Sequence, residues 1–151
     1  MRFLGNIEAK TDVKGRAFLP AVFRKVLQVS GEEVLVLRKD VFQKCLVLYP
    51  ESVWNARLDM LKSQLKPWNP AHQQMFRQFV SEAEAITLDG NGRFLISRRL
   101  LKVADIGQDI QFIGMDDTIE IWAPQNLEQV QKTDEAFSLE FENIMNGDSE
   151  Q

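Results

Sequence analysis

Asp12-Val13-Lys14-Gly15-Arg16 returns 77 residues later (12 to 89) as Asp89-Gly90-Asn91-Gly92-Arg93. Both stretches set an acid four residues before an arginine, with glycine directly ahead of the arginine. An aspartate in such a run can accept backbone N–H groups two or three residues on. Glycine supplies a left-handed conformation without steric cost, so each stretch reads as a tight turn between strands. The guanidinium has two options. It can fold back on its own carboxylate as a local staple, or point outward, where its planar fork can grip a guanine edge or a phosphate. A single copy favours the staple. Two copies change that reading, because equivalent turns at matching corners of a pseudo-symmetric domain would set two arginines on one surface.

Other chemistry is hard to assemble. No Gly-rich phosphate loop follows a strand: Asp-Gly-Asn-Gly-Arg is too short and lacks the Lys-Ser/Thr ending. Ser30, Ser52, Ser63, Ser81 and Ser97 share one histidine, His72, and none sits in a nucleophile elbow. His72 and the one cysteine, Cys45, give no zinc spacing, and Asp116-Asp117 reads as a solvated turn rather than a metal pair. The expectation is therefore no catalytic residue, no metal, no cofactor and no small-molecule substrate.

The elements that must position the turns can be read from apolar periodicity. Phe3 to Thr11 reads as an opening strand, Arg16 to Leu19 as a second. Pro20 suits a helix's first turn, Phe23, Val26 and Leu27 follow at helical spacing, and Gly31 marks the stop. Val34–Leu37 and Cys45–Tyr49 read as strands around a polar turn at Arg38-Lys39-Asp40. The second unit repeats that order. Ala85–Leu88 and Arg93–Ile96 flank its turn, Ser97 caps a helix through Leu100, Leu101 and Ala104 with Gly107 as stop, and strands follow at Asp109–Ile113 and Thr118–Trp122. Between the units, Glu51–Leu65 is helical in pattern, Pro67-Trp68-Asn69-Pro70 breaks it, and a second helix runs through Met75, Phe76, Phe79 and Val80. This pair, bearing Trp54 and Trp68, either covers a sheet edge or forms a subunit contact. The tail from Leu127 looks helical through Phe137, Phe141 and Ile144, with Asn146–Gln151 frayed. The division expected is 1–50 for the first repeat, 51–80 for a helical connector, 81–125 for the second repeat and 126–151 for the C-terminal helix and tail.

At 151 residues the chain suits one fused core rather than two independent domains. One cysteine fits a reducing compartment, and with no membrane-length apolar run or leader a cytoplasmic address is expected. A net charge of −4 and an isoelectric point near 5.1 argue against nucleic acid at first sight. Its distribution argues otherwise. Residues 1–50 balance at +4 and 51–79 at +2, while 80–125 stand at −4 and 126–151 at −6. Local field governs an anionic partner more than the total does.

Phe3 and Gly5 before the first turn, then Leu19-Pro20 and Phe23-Arg24, with the second Asp89…Gly92-Arg93 turn at this distance, resemble the MraZ family. The likeness runs from about Met1 to Ile144. It implies an α+β, AbrB-like fold in which two swapped β-hairpin half-units form one small β-barrel with peripheral helices. It also implies a bacterial transcription regulator, cytoplasmic and associated with the nucleoid. Such a regulator binds double-stranded DNA at short direct repeats in the promoter of the division and cell-wall gene cluster, and assembles as a ring-like homo-oligomer. The chain departs from strict repetition at Asn91 against Lys14 and Ser97 against Pro20, so the first turn is the more basic. On this reading Arg16, helped by Lys14, enters a groove, Arg93 repeats the role or serves Asp89, and Arg24 and Lys25 on the helix behind anchor phosphates. Asp12, Gly15, Asp89 and Gly92 shape the loops. One loop supplies too little affinity, which a ring multiplies. The rival reading is an oligomeric scaffold that recruits a protein through its tryptophan-bearing connector.

Overall fold

A computed structural model describes residues 1–147; residues 148–151, where most of the expected frayed tail falls, lie outside the described residues. The first half forms β1 (Asn6–Lys10), β2 (Arg16–Phe18), α1 (Ala21–Ser30), β3 (Val34–Lys39) and β4 (Leu46–Pro50). Two helices follow, α2 (Glu51–Gln64) and α3 (Pro70–Ser81). The order then returns as β5 (Glu84–Thr87), β6 (Arg93–Leu95), α4 (Arg98–Val103), β7 (Asp109–Gly114) and β8 (Ile119–Trp122). Helices α5 (Pro124–Val130) and α6 (Asp134–Met145) end the described chain.

This is an α+β protein with antiparallel sheets. Each half lends its first strand to the other: β1 pairs with β7, and β5 pairs with β3. The six-stranded order is β1-β7-β8-β4-β3-β5, with β2 and β6 forming a second, two-stranded sheet. Both contacts between like strands have registers that map onto themselves when the halves are exchanged. Arg16 pairs with Leu95 and Phe18 with Arg93 about a central Ala17–Phe94; Leu46 pairs with Ile121 and Leu48 with Ile119 about Val47–Glu120.

The expected small barrel does not close. β1 and β5 remain the edges of the large sheet, and β2 forms no ladder with β1, only an isolated bridge from Ala17 to Thr11 just past its end. The reason is where the backbone groups go. β2 and β6 have three residues each, and the N–H that follows each strand serves the opposite turn. Leu19 N–H donates to Gly92 O and Ile96 N–H to Gly15 O, both at 2.9 Å.

The core lies between the ribbon, the large sheet and the two short helices. Phe3 meets Phe23 edge-on at 5.6 Å, and Phe94 meets Phe112 at 6.4 Å. Ala17, Leu19, Leu100, Ile110 and Ile121 fill the space around them and are all buried. Close packing of this kind fixes the pose of the surface above it.

Several elements differ from their sequence expectation. Arg38 and Lys39 continue β3 rather than forming a turn. Arg38 is buried because its guanidinium donates to Phe79 O at 3.0 Å and lies 4.3 Å over the Phe79 ring. That ring stacks on Trp54, so Trp54 is a buried anchor for the connector, whereas Trp68 is 93% exposed. Helix α4 ends at Val103, before Gly107, with Asp105 taking the left-handed conformation. The tail is two helices, because Gln131 is extended and Thr133 opens α6 by accepting from Ala136 N–H. Other signals agree in position. Gly31 closes α1 at φ 71°, and the Asn69 side chain caps α3 by accepting from the N–H groups of Ala71 and His72.

Candidate nucleic-acid interface

The two turns have the same hydrogen bonds. In the first, Asp12 Oδ1 accepts the backbone N–H groups of Lys14 and Arg16, both at 2.9 Å, and Oδ2 accepts Arg16 Nε at 2.7 Å. In the second, Asp89 Oδ1 accepts from Asn91 and Arg93, and Oδ2 accepts Arg93 Nε, all at 2.9 Å. Asp12 N–H closes on Arg16 O at 2.8 Å, as Asp89 N–H does on Arg93 O. Charge-assisted bonds hold the ionised carboxylate. The Arg16 backbone N–H, ahead of its side chain, holds the Asp12 carboxyl below its ordinary range, and Arg93 does the same for Asp89.

Staple and outward display turn out to be compatible. Each guanidinium bonds its own aspartate through Nε, and its Nη1 and Nη2 make no hydrogen bond among the described residues. The pleat decides where the arginines point. Ala17 and Phe94 face inward, so Arg16, Phe18, Arg93 and Leu95 occupy the outer face of the β2–β6 ribbon. Arg16 and Arg93 are diagonal neighbours across it, about 7–8 Å apart at their backbones. Lys14 is exposed at the tip of the first turn, where the second has the neutral Asn91.

Exchange of the halves relocates the supporting cations. Helix α1 stands behind the second turn, not the first. Arg24 Nη1 donates to Asn91 O at 2.9 Å, and Gly92 at φ 83° leaves the room its guanidinium occupies. Lys25 is exposed beside it, in a hollow shared with Glu32, Glu33 and Asp89. Behind the first turn is α4. Leu101 takes the place of Arg24 there, and the exposed Arg98 lines the hollow with Asp12, Lys14 and Gly15. Sequence reasoning passed over Arg98. The signal was available, since the same 77-residue step carries Ala21 to Arg98, but which helix backs which turn depends on the exchange.

A protein-family model described as "MraZ protein, putative antitoxin-like" matches residues 79–144. A protein of Phocaeicola vulgatus named "Transcriptional regulator MraZ" is 61% identical over 145 residues, 96% of this chain and 94% of its own length. One of Bacteroides thetaiotaomicron with the same name is 55% identical over the whole chain and 97% of its length. Another, of Roseiflexus, is 38% identical over 85% of each. This chain belongs to the MraZ family. Membership sets it among transcription regulators, and the likeness extends through both turns rather than the second alone. No helix among the described residues is long and apolar enough to cross a membrane.

Proposed function

We propose that this MraZ-family protein is a sequence-specific DNA-binding regulator that works through the outer face of the β2–β6 ribbon. The observation behind this is the pair of arginines on one outward face, each held by Nε with both Nη groups available. The major groove of B-DNA, about 12 Å wide, admits a two-stranded ribbon, and arginine is the residue suited to guanine O6 and N7. Asp12, Gly15, Asp89 and Gly92 hold the loops in shape, and Arg16 and Arg93 reach the base edges. Lys14, Lys25 and the outer edge of Arg24 answer phosphates. Residues 1–50 and 81–125 act as the two halves of this unit, with 51–80 as connector and 126–151 as tail.

One ribbon gives few contacts and the subunit is acidic overall, so several copies in a ring meet successive direct repeats in the promoter of the division and cell-wall gene cluster. Support for self-assembly comes from α6, which has no buried residue and exposes Phe137, Leu139, Phe141, Ile144 and Met145. The setting is the cytoplasm, at the nucleoid.

A gel-shift titration on repeat-containing and scrambled duplexes tests the site. Arg16→Ala is expected to cost about 1–3 kcal/mol per engaged ribbon and to relax discrimination between the two. Lys14→Ala weakens both alike and flattens the salt slope. Equal affinity of Arg16→Ala and wild type would remove Arg16 from the interface. The scaffold alternative keeps one supporting observation, the exposed Trp68; a sizing column with and without DNA at physiological salt separates the two.

A further inference from the structure

The outer ribbon face has two diagonals. One holds Arg16 and Arg93; the other holds Phe18 and Leu95, which are 56% and 53% exposed. Phe18 pairs with Arg93 in register and Leu95 with Arg16, so each guanidinium has a large apolar side chain directly across from it. The Arg93 guanidinium carbon lies 5.8 Å from the Phe18 ring centroid. Phe18 and Leu95 are themselves related by the 77-residue step, so the apolar position is part of the repeated design. Neither contributes to the core, which the ribbon reaches through Ala17 and Phe94 on its other face.

Resting on the DNA-binding reading above, we infer that Phe18 and Leu95 are specificity residues that contact the 5-methyl groups of thymines beside the arginine-bound bases. The chemistry of the groove leads there. Base edges in the major groove present donors and acceptors, which arginine can answer, and one apolar group, the thymine methyl. An exposed apolar side chain paired in register with a base-reading guanidinium is therefore presented with one kind of partner in that groove. Backbones on each diagonal are about 7–8 Å apart. Successive bases on a strand rise about 3.4 Å, so the two apolar contacts fall roughly two steps apart. Phenylalanine at one end and leucine at the other make the two contacts unequal, as Lys14 and Asn91 make the two turns unequal. The ribbon thus has a polarity on DNA that its backbone symmetry lacks.

The test removes methyl groups from DNA and nothing else. The promoter of the division and cell-wall gene cluster is amplified once with dTTP and once with dUTP, and the full chain is titrated on each duplex. Wild type is expected to bind the uracil duplex more weakly, by roughly fourfold for each methyl contacted. A Phe18→Ala/Leu95→Ala variant is expected to lose affinity for the thymine duplex and to treat the two duplexes alike. Its core is untouched, since both side chains are exposed. Equal wild-type binding to both duplexes overturns the methyl contact while leaving the arginine site standing; failure to bind either removes both. A variant that still prefers the thymine duplex assigns the methyl reading to other residues. A variant that changes size on a column and loses both duplexes equally makes this face a contact between copies, and also overturns the inference.

Discussion

At the scale of single residues, each turn rests on one carboxylate that accepts three donors and one glycine that tolerates a close neighbour. The glycines differ in what confronts them. A Cβ on Gly15 would lie 2.8 Å from the Ile96 carbonyl oxygen, which is backbone and cannot move aside. One on Gly92 would meet the Arg24 guanidinium, a flexible end that can swing away. Gly92→Ala therefore costs of order 1–3 kcal/mol for its positive φ, and Gly15→Ala costs more, as urea unfolding of the two variants will report. Loss of the Arg24 contact should also leave Gly92→Ala weaker on DNA than its stability alone explains. The aspartates tie the turns to pH. Their folded pKa values lie below the unfolded value of about 3.9, so their contribution is present above that pH and is lost as pH falls through the lowered values. In Asp12→Asn the urea midpoint should fall at pH 7, and the gap to wild type should narrow on acidification below about pH 4.

At the scale of elements, the connector is attached to the sheet at one principal place. Trp54 of α2 stacks on Phe79 of α3 at 5.4 Å, and Arg38 of β3 lies over the same Phe79 ring and bonds the Phe79 carbonyl. Helix α3 has no fully buried residue of its own, so its start depends on the Asn69 cap. Asn69→Ala is expected to cost about 1 kcal/mol, visible as a lower urea midpoint by circular dichroism. DNA affinity should hardly change, because α3 belongs to the connector and contributes nothing to the ribbon. Helix α6 poses the opposite case. Its cap and acidic first turn are well formed, yet its apolar side chains stay exposed in the single chain.

At the scale of the whole molecule, strand exchange makes the halves interdependent. Neither half can bury its first strand without the other, since β1 needs β7 and β5 needs β3. Unfolding should accordingly be a single transition by tryptophan fluorescence and circular dichroism, with no stage in which one half survives. The self-assembly proposed above is also tested at this scale. Phe137→Ser/Phe141→Ser should reduce the size of the particle on a column while leaving the fold intact, and weaken DNA binding through lost multivalency. The logarithm of wild-type affinity should fall linearly with the logarithm of salt concentration, and the smaller particle should show a shallower slope.

Local chemistry was legible in the chain alone: both turns, the Gly31 stop, the Ser97 and Asn69 caps, and the order of elements in each half. These depend on backbone conformation and hydrogen bonds within a few residues, which side-chain type settles directly. Repetition could be read for the same reason, as a pattern along one dimension. What needed three dimensions was everything carried by contacts distant in the chain. Exchange of the first strands decided that α1 backs the second turn and α4 the first, which moved Arg24 to Asn91 and brought Arg98 beside Asp12. It placed Arg38 under Phe79, where a charged residue would otherwise mark a surface turn. Most of all, pairing of β2 with β6 decided that Arg16 and Arg93 share a face with Phe18 and Leu95, because alternation along a strand says which residues go together but only the partner strand says what they meet.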